Sequence, residues 1–252
     1  MPIGKIILAL LVTVAVSAGA AAQEYPSRPV TMIVPFAAGG PSDTVAHVMA
    51  AAMSHSLGKN IVVENVTGAS GSVGVGRVAR ATPDGYTLLI GLWSTNVLNG
   101  AVYNLSYDLL KDFEPIALLP NNPMLVVSKS AVPAKDLKDF IAWAKASPTP
   151  VTAGTAGVGS GTHVAGVFFE NLTGVHLQFA PYSGTGPALH DLVAGHIDMI
   201  VDQASNSLQH VREGQIRAYA VTAKTRLAAV PDIPTVDEAG LPGLYINTWY
   251  GM

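Results

Sequence analysis

Along residues 24–252 two hydrophobic rhythms take turns, short β-branched runs and longer stretches with helical spacing. Val30-Thr31-Met32-Ile33-Val34 is apolar, β-branched and stopped by Pro35, which predicts a strand. A helix is predicted from Ser42 to Leu57: Val45, Val48, Met49, Ala52 and Met53 recur on one face, Ser42 or Asp43 caps its start, and Gly58 closes it. Ile61-Val62-Val63 reads as a strand, Val73 to Ala81 as a short helix, Thr82-Pro83-Asp84-Gly85 as a turn, and Tyr86 to Leu92 as a strand. Asn96 to Pro120 has no clear period. Beyond it, strands are expected at Met124–Ser128, Val151–Gly154, Leu177–Ala180, Ile197–Val201 and Ile216–Val221. Helices are expected at Asp136–Ala146, Thr162–Leu172, Pro187–Ala194 and Ser205–Arg212. Repeated β-α-β order predicts an α/β fold with mainly parallel sheets flanked by helices. Two such units follow in tandem, residues 23–123 and 124–225, and the last stretch, from Pro231, is rich in Pro and Gly.

Composition agrees with a packed core. Hydrophobic residues make up 49% of the 252 and charged residues only 12%, the reverse of a disordered chain. The net charge of -3 comes without any Lys/Arg stripe, which excludes a nucleic-acid partner. Cysteine is absent, so disulfides, thiolate metal sites and Cys nucleophiles are excluded together. At the N-terminus Lys5 precedes the apolar run Ile6 to Val16, followed by Ala20-Ala21-Ala22-Gln23. That order predicts a cleavable export signal over residues 1–22, cut after Ala22, and a periplasmic mature protein.

The candidate chemistry lies in four strand-to-helix loops built from small residues, hydroxyls and glycines. They are 35–43, 154–163, 182–187 and the shorter 202–205. In open α/β sheets ligands bind beyond the carboxyl ends of the strands, and helix N-termini there favour anions. Any one of these loops would equally serve as a plain tight connection; four, spread over two units, predict a ligand cleft. None contains Arg or Lys, so backbone and hydroxyl groups would hold the anion.

The same segments carry a family resemblance. Tyr25-Pro26-Ser27-Arg28-Pro29-Val30, then Val34 to Asp43, resembles the Bug/TctC family, the extracytoplasmic receptors of tripartite tricarboxylate transporters. Ala81-Thr82-Pro83-Asp84-Gly85-Tyr86, Gly154-Thr155-Ala156-Gly157 with Gly161-Thr162-His163, Pro181-Tyr182-Ser183-Gly184 and Pro234-Thr235-Val236 add to it. The resemblance implies a two-lobed clamshell, monomeric and without cofactor or metal, that closes on a small mono- or dicarboxylate, aromatic or amino-substituted forms included. The clamshell then docks on membrane permease subunits. It implies ligand contacts from Phe36, Ala37, Gly39, Gly40, Ser42, Asp43, Ser94 and Thr95 in the first lobe. From the second it implies Thr155, Ser160, Thr162, His163, Tyr182, Gly184, Thr185 and Asp202. Two roles stay open for Asp202, a selectivity point or a helix N-cap. Val201 and Gln203 flank it where many members carry Phe and Asn, which leaves ligand shape open. The family pattern also continues past Trp249-Tyr250-Gly251, so residues 226–252 are expected to begin a return to the first lobe that is cut short, in a fragment or a truncated gene.

Rival functions find weaker support. Gly68-Ala69-Ser70-Gly71-Ser72 and the Ser160 loop only approximate the nucleophile turn of a serine hydrolase, and no base and orienting group complete a set. Gly74-Val75-Gly76-Arg77-Val78-Ala79 matches a dinucleotide fingerprint, but no acidic residue ends the next strand. The seven histidines are scattered without metal-ligand spacing. A receptor feeding a membrane sensor kinase would share the clamshell chemistry.

Overall fold

The computed structural model describes residues 24–252; the predicted export signal, residues 1–22, lies outside them. β1 (Val30–Val34) is buried along nearly its whole length. An unbroken apolar run of this kind suits the centre of a parallel sheet. It pairs in parallel with β2 (Ile61–Asn65) on one side and β3 (Thr87–Leu89) on the other, Met32 opposite both Val63 and Leu88. Between β1 and β2 runs α1 (Pro41–Leu57). Its buried stripe is Ser42, Asp43, Ala46 and Ala50, flanked by the partly buried Val45, Met49 and Met53. Val48, expected on the core face, is 64% exposed. The N-cap is Gly40 with Pro41 in the first turn, rather than Ser42 or Asp43; Gly58 closes the helix with a left-handed φ of 66°.

After α2 (Ser72–Ala79), the predicted strand Tyr86–Leu92 divides. Ile90 N–H still donates to Ile33 O (3.0 Å), but β4 (Gly91–Leu92) leaves for a second sheet. Gly91 permits this step, because a Cβ there would sit 2.5 Å from the Asn96 side chain. Trp93 then leads into a π-helical turn, Ser94–Leu98, and α3 (Asn99–Val102), local structure that the irregular pattern of this region did not announce.

β5 (Leu118–Lys129) is more than twice as long as the predicted Met124–Ser128, because Pro120 and Pro123 read as breakers. Both are accommodated in the half that pairs only with β10 (Asn247–Gly251), across a shifted register. The other half lies between β8 (Met199–Gln203) and β9 (Ile216–Val221). β8 pairs in parallel with β6 (Val151–Thr155), which pairs in parallel with β7 (Leu177–Pro181). The seven-stranded sheet thus runs β4-β10-β5-β8-β6-β7, with β9 also on β5. Parallel pairing holds where helices connect the strands. β5 enters without a preceding crossover helix and runs antiparallel to β8, β9 and β10.

The helices α4 (Leu137–Ala146), α5 (Gly161–Thr173), α6 (Thr185–Val193) and α7 (Ala204–Arg212) start and end within two residues of expectation. They cover both faces of this sheet. Alternate residues of β5 show it: Met124 and Val126 join Phe140 and Phe169 in one core, Leu125 and Val127 join Leu192 and Ile200 in another. A third core, around Met32, Ile90 and Tyr250, underlies the β1 sheet. No helix among the described residues is long and apolar enough to cross a membrane.

Candidate ligand cleft

Strand order brings the carboxyl ends of β1, β6, β7 and β8 toward one place, and the loops that follow them meet around a narrow cleft. Phe36, Ala37, Gly40 and Ser42 form one wall with Ser94. Ser160, Thr162 and Thr185 form the facing wall. No charged side chain lines the cleft among the described residues; its polar groups are hydroxyls, backbone and one amide, that of Gln203.

Four helix starts converge here. α1 begins at Gly40, α5 at Ser160, α6 at Gly184 and α7 at Gln203, and only Ser160 supplies a side-chain cap, accepting from His163 N–H. The other three starts have no side-chain cap from their N-cap residue, although in α7 Ser205 N–H is taken by Asn122 Oδ1, and each presents the positive end of a helix dipole, an arrangement that attracts an anion. Thr248, on β10, lines the cleft with its Oγ1 buried and unpaired, and Trp93, whose ring lies against Gly161, has an unpaired Nε1.

The remaining residues expected to touch ligand shape the walls instead. Gly39 holds a left-handed φ of 79°, and its N–H donates to Asp43 Oδ2 (3.0 Å). Asp43 Oδ1 accepts from Asn65 Nδ2, so this carboxylate ties the β1 loop to β2. Thr95 Oγ1 accepts from Leu92 N–H and braces the turn after β4. Thr155 is buried behind the β6 loop and accepts weakly from Gly157 N–H. His163 packs edge-on against Phe179, its Nδ1 accepting from Gly159 N–H, and burial holds its pKa below the usual value. Tyr182 donates to Asp191, and burial, with that carboxylate as partner, pushes its hydroxyl up to about 12. Gly184 fits against the Ala37 backbone.

Asp202 is wholly buried and does not line the cleft. Its Oδ2 accepts from Ser207 Oγ (2.5 Å) and Asn206 Nδ2 (2.7 Å), while Oδ1 has no partner. Burial raises its pKa to about 6 against these opposing hydrogen bonds. The side chain reaches into the first turns of α7, but the N-cap position itself belongs to Gln203. Sequence reasoning placed Gln203 in the candidate 202–205 loop without naming it as a contact, and missed Met124 and Thr248 as lining residues. Gln203 stood one position from a residue already singled out. Met124 and Thr248 arrive on β5 and β10, whose pairing no local pattern reveals.

The two walls also touch directly. Ala37 N–H donates to Ser183 O (3.0 Å), Ser70 Oγ donates to Val158 O (2.6 Å), and Tyr103 OH donates to the same carbonyl. Loops from both sheets therefore hold each other directly.

Sheets flanked by helices and joined by crossing strands, with a cleft of helix N-termini between them, define a two-lobed solute-binding protein. Residues 45–252 match the tripartite tricarboxylate transporter family receptor, and the chain belongs to that family. It is 39% identical to the periplasmic binding protein BugD (TM-score 0.87), covering 90% of this chain and 76% of that one. It is 41% identical to MatC of Rhodopseudomonas palustris, solved with bound malate (TM-score 0.85; 90% and 78% covered). A further R. palustris protein, solved with adipate, is 33% identical (TM-score 0.87; 90% and 76% covered).

Proposed function

We propose that the protein is a periplasmic receptor that captures a small carboxylate between two lobes, residues 24–123 and 124–225, and delivers it to the permease subunits of a tripartite transporter. Residues 226–252 return the chain to the first lobe through β10. In this reading the protein is exported by the segment cleaved near Ala22, and works as a monomer without cofactor. The observation that carries it is the convergence of four helix N-termini on a cleft without charged side chains. Such a site pays for anion desolvation with oriented N–H groups instead of a counter-ion. Relatives solved with malate and adipate support the ligand class.

The serine positions support binding over hydrolysis. Ser160 Oγ accepts from a backbone N–H, Ser70 Oγ donates to Val158 O, and the His163 ring bonds to Gly159 N–H. Neither hydroxyl meets a base among the described residues. Thermal melts of the protein against C3 to C6 mono- and dicarboxylates, amino acids and neutral controls test the reading. A ligand at about 100 times its Kd should add roughly 2.7 kcal/mol to native stability, visible as a dose-dependent rise in midpoint. A clean melt unmoved by every carboxylate would sink it.

A further inference from the structure

Gln203 carries the one side-chain amide among the lining residues, with its donor and acceptor on separate atoms, and the surrounding hydrogen bonds decide which end is free. The orientation begins at a backbone group that cannot be reversed: Ser205 N–H donates to Asn122 Oδ1 (3.3 Å). Asn122 is thereby fixed with its Nδ2 outward, and that nitrogen donates to Gln203 Oε1 (3.1 Å) and to Ser205 Oγ (2.6 Å). Tyr250 OH donates to the same Gln203 Oε1. The acceptor end of Gln203 is therefore saturated by β5 and β10, while its Nε2 makes no hydrogen bond among the described residues and is not among their buried unpaired atoms. Gln203 is only 6% exposed and lines the cleft, so the free N–H₂ has the cleft to serve.

Among the described residues, no carboxylate lines the cleft to receive a cation at this end. Asp202, next to Gln203 in the sequence, is buried out of the lining, with Oδ2 doubly engaged and Oδ1 unpaired but enclosed. A ligand ammonium would face the Gln203 donor and a helix N-terminus, both repulsive to it, without a counter-ion.

We propose that Gln203 is the specificity-determining residue of the cleft, its Nε2 donating to an oxygen of the ligand's second carboxylate, so that the protein selects small dicarboxylates and rejects ligands ending in an ammonium. Asn122 is a positioning residue that holds the amide in this sense. This rests on the carboxylate-receptor reading above and adds the identity of the second end.

Titration calorimetry with succinate, butyrate and 4-aminobutyrate tests it, since the three share one carboxylate and a four-carbon chain and differ at the far end. The protein should bind succinate at least about tenfold tighter than the other two, the discrimination expected of a charge-assisted hydrogen bond and a donor-against-donor mismatch. Gln203→Leu should lower succinate affinity toward that of butyrate and leave butyrate within about threefold of its original affinity. Gln203→Glu, which turns the free end into an acceptor, should favour 4-aminobutyrate over succinate. Asn122→Ala keeps Gln203 and should lose part of the succinate preference, which keeps the idea testable if the Gln203 variants do not fold. A structural role alone would weaken all three ligands alike; that result, or equal binding of succinate and butyrate by the unaltered protein, would overturn the inference while leaving the receptor intact. Failure of the unaltered protein to bind any of these, or malate or adipate, would remove both.

Discussion

Asp202 shows how one side chain trades exposure for order. Its carboxylate organises Asn206 and Ser207 at the start of α7, and burial raises its pKa from the ordinary 3.8 to about 6. With a raised value the folded protein keeps a proton that the unfolded chain releases. The associated stability is complete below about pH 3.8, falls as pH rises, and is gone above about 6. The span corresponds to roughly 3 kcal/mol at most, since one pKa unit is worth about 1.4 kcal/mol. Asp202→Asn retains an oxygen acceptor and removes the titration. Its melting temperature should therefore gain on that of the unaltered protein by several degrees between pH 4 and 7, and the difference should be flat above that. Parallel melting curves across this range would mean that Asp202 does not carry the raised value. If the residue contacted ligand directly, the same substitution would also change the ligand profile; its absence from the lining predicts an unchanged order of preference among carboxylates.

The elements proposed to hold ligand are helix starts, and their spacing tolerates little. Gly186, in the first turn of α6, faces the Gly39–Gly40 backbone: an added Cβ would lie 3.0 Å from Gly39 C and 3.1 Å from Gly40 N. Both contacts are backbone and cannot swing aside. Gly186→Ala should therefore push α6 off the β1 loop and weaken ligand affinity by about tenfold or more, an overpacking cost of roughly 1–3 kcal/mol, with the far-UV spectrum unchanged. Gly40→Val should act on the same junction by filling the cleft side of the α1 start. Unaltered affinity in both would show that the helix starts do not need this approach. These elements were the legible part of the chain. β1, α1 and the alternating units after Val151 follow from β-branched runs, helical spacing and Gly or Pro stops, because local propensity and tertiary burial agree there. β10, the long β5 and the turn at Ser94–Leu98 were not legible. The prolines of β5 and the Pro- and Gly-rich approach to β10 read as loop, and only pairing with distant strands makes them structure; Ser94–Leu98 has no periodic run long enough to announce a helical turn. The site divided the same way: loops after strands were found, whereas Met124 and Thr248 reach the cleft through that distant pairing. Asp43, Thr95 and Thr155 stand outside the lining because hydroxyls and carboxylates next to a helix start bond to their own loops, a local competition that composition does not reveal.

At the scale of the whole molecule, the β1 sheet and the seven-stranded sheet, linked through the β3–β4 segment, bring binding energy and shape change together. Each wall supplies part of the lining, so a ligand makes its full set of contacts only when the walls are close, and its affinity contains the free energy of bringing them there. The protein contributes its own contacts to that closure. Ser70 and Tyr103 both donate to Val158 O between the two walls, and Ser70 does so from a left-handed φ of 49° that a non-glycine residue rarely adopts. Asn99 Nδ2 donates to Ser70 O (3.0 Å) and holds that geometry. The pair Ser70→Ala with Tyr103→Phe removes both donors, leaves Val158 O facing solvent where water satisfies it, and touches no lining residue. The two lost hydrogen bonds amount to about 2 kcal/mol, or about 30-fold in the closed-to-open ratio. Where closure limits affinity, ligand should dissociate faster by up to that factor while association is little changed, and small-angle scattering of the unliganded variant should show a larger radius of gyration. Dissociation rates and scattering identical to the unaltered protein would place the energy of closure in the Ala37–Ser183 contact and the ligand itself, and would make the clasp a consequence of closing instead of a contributor to it.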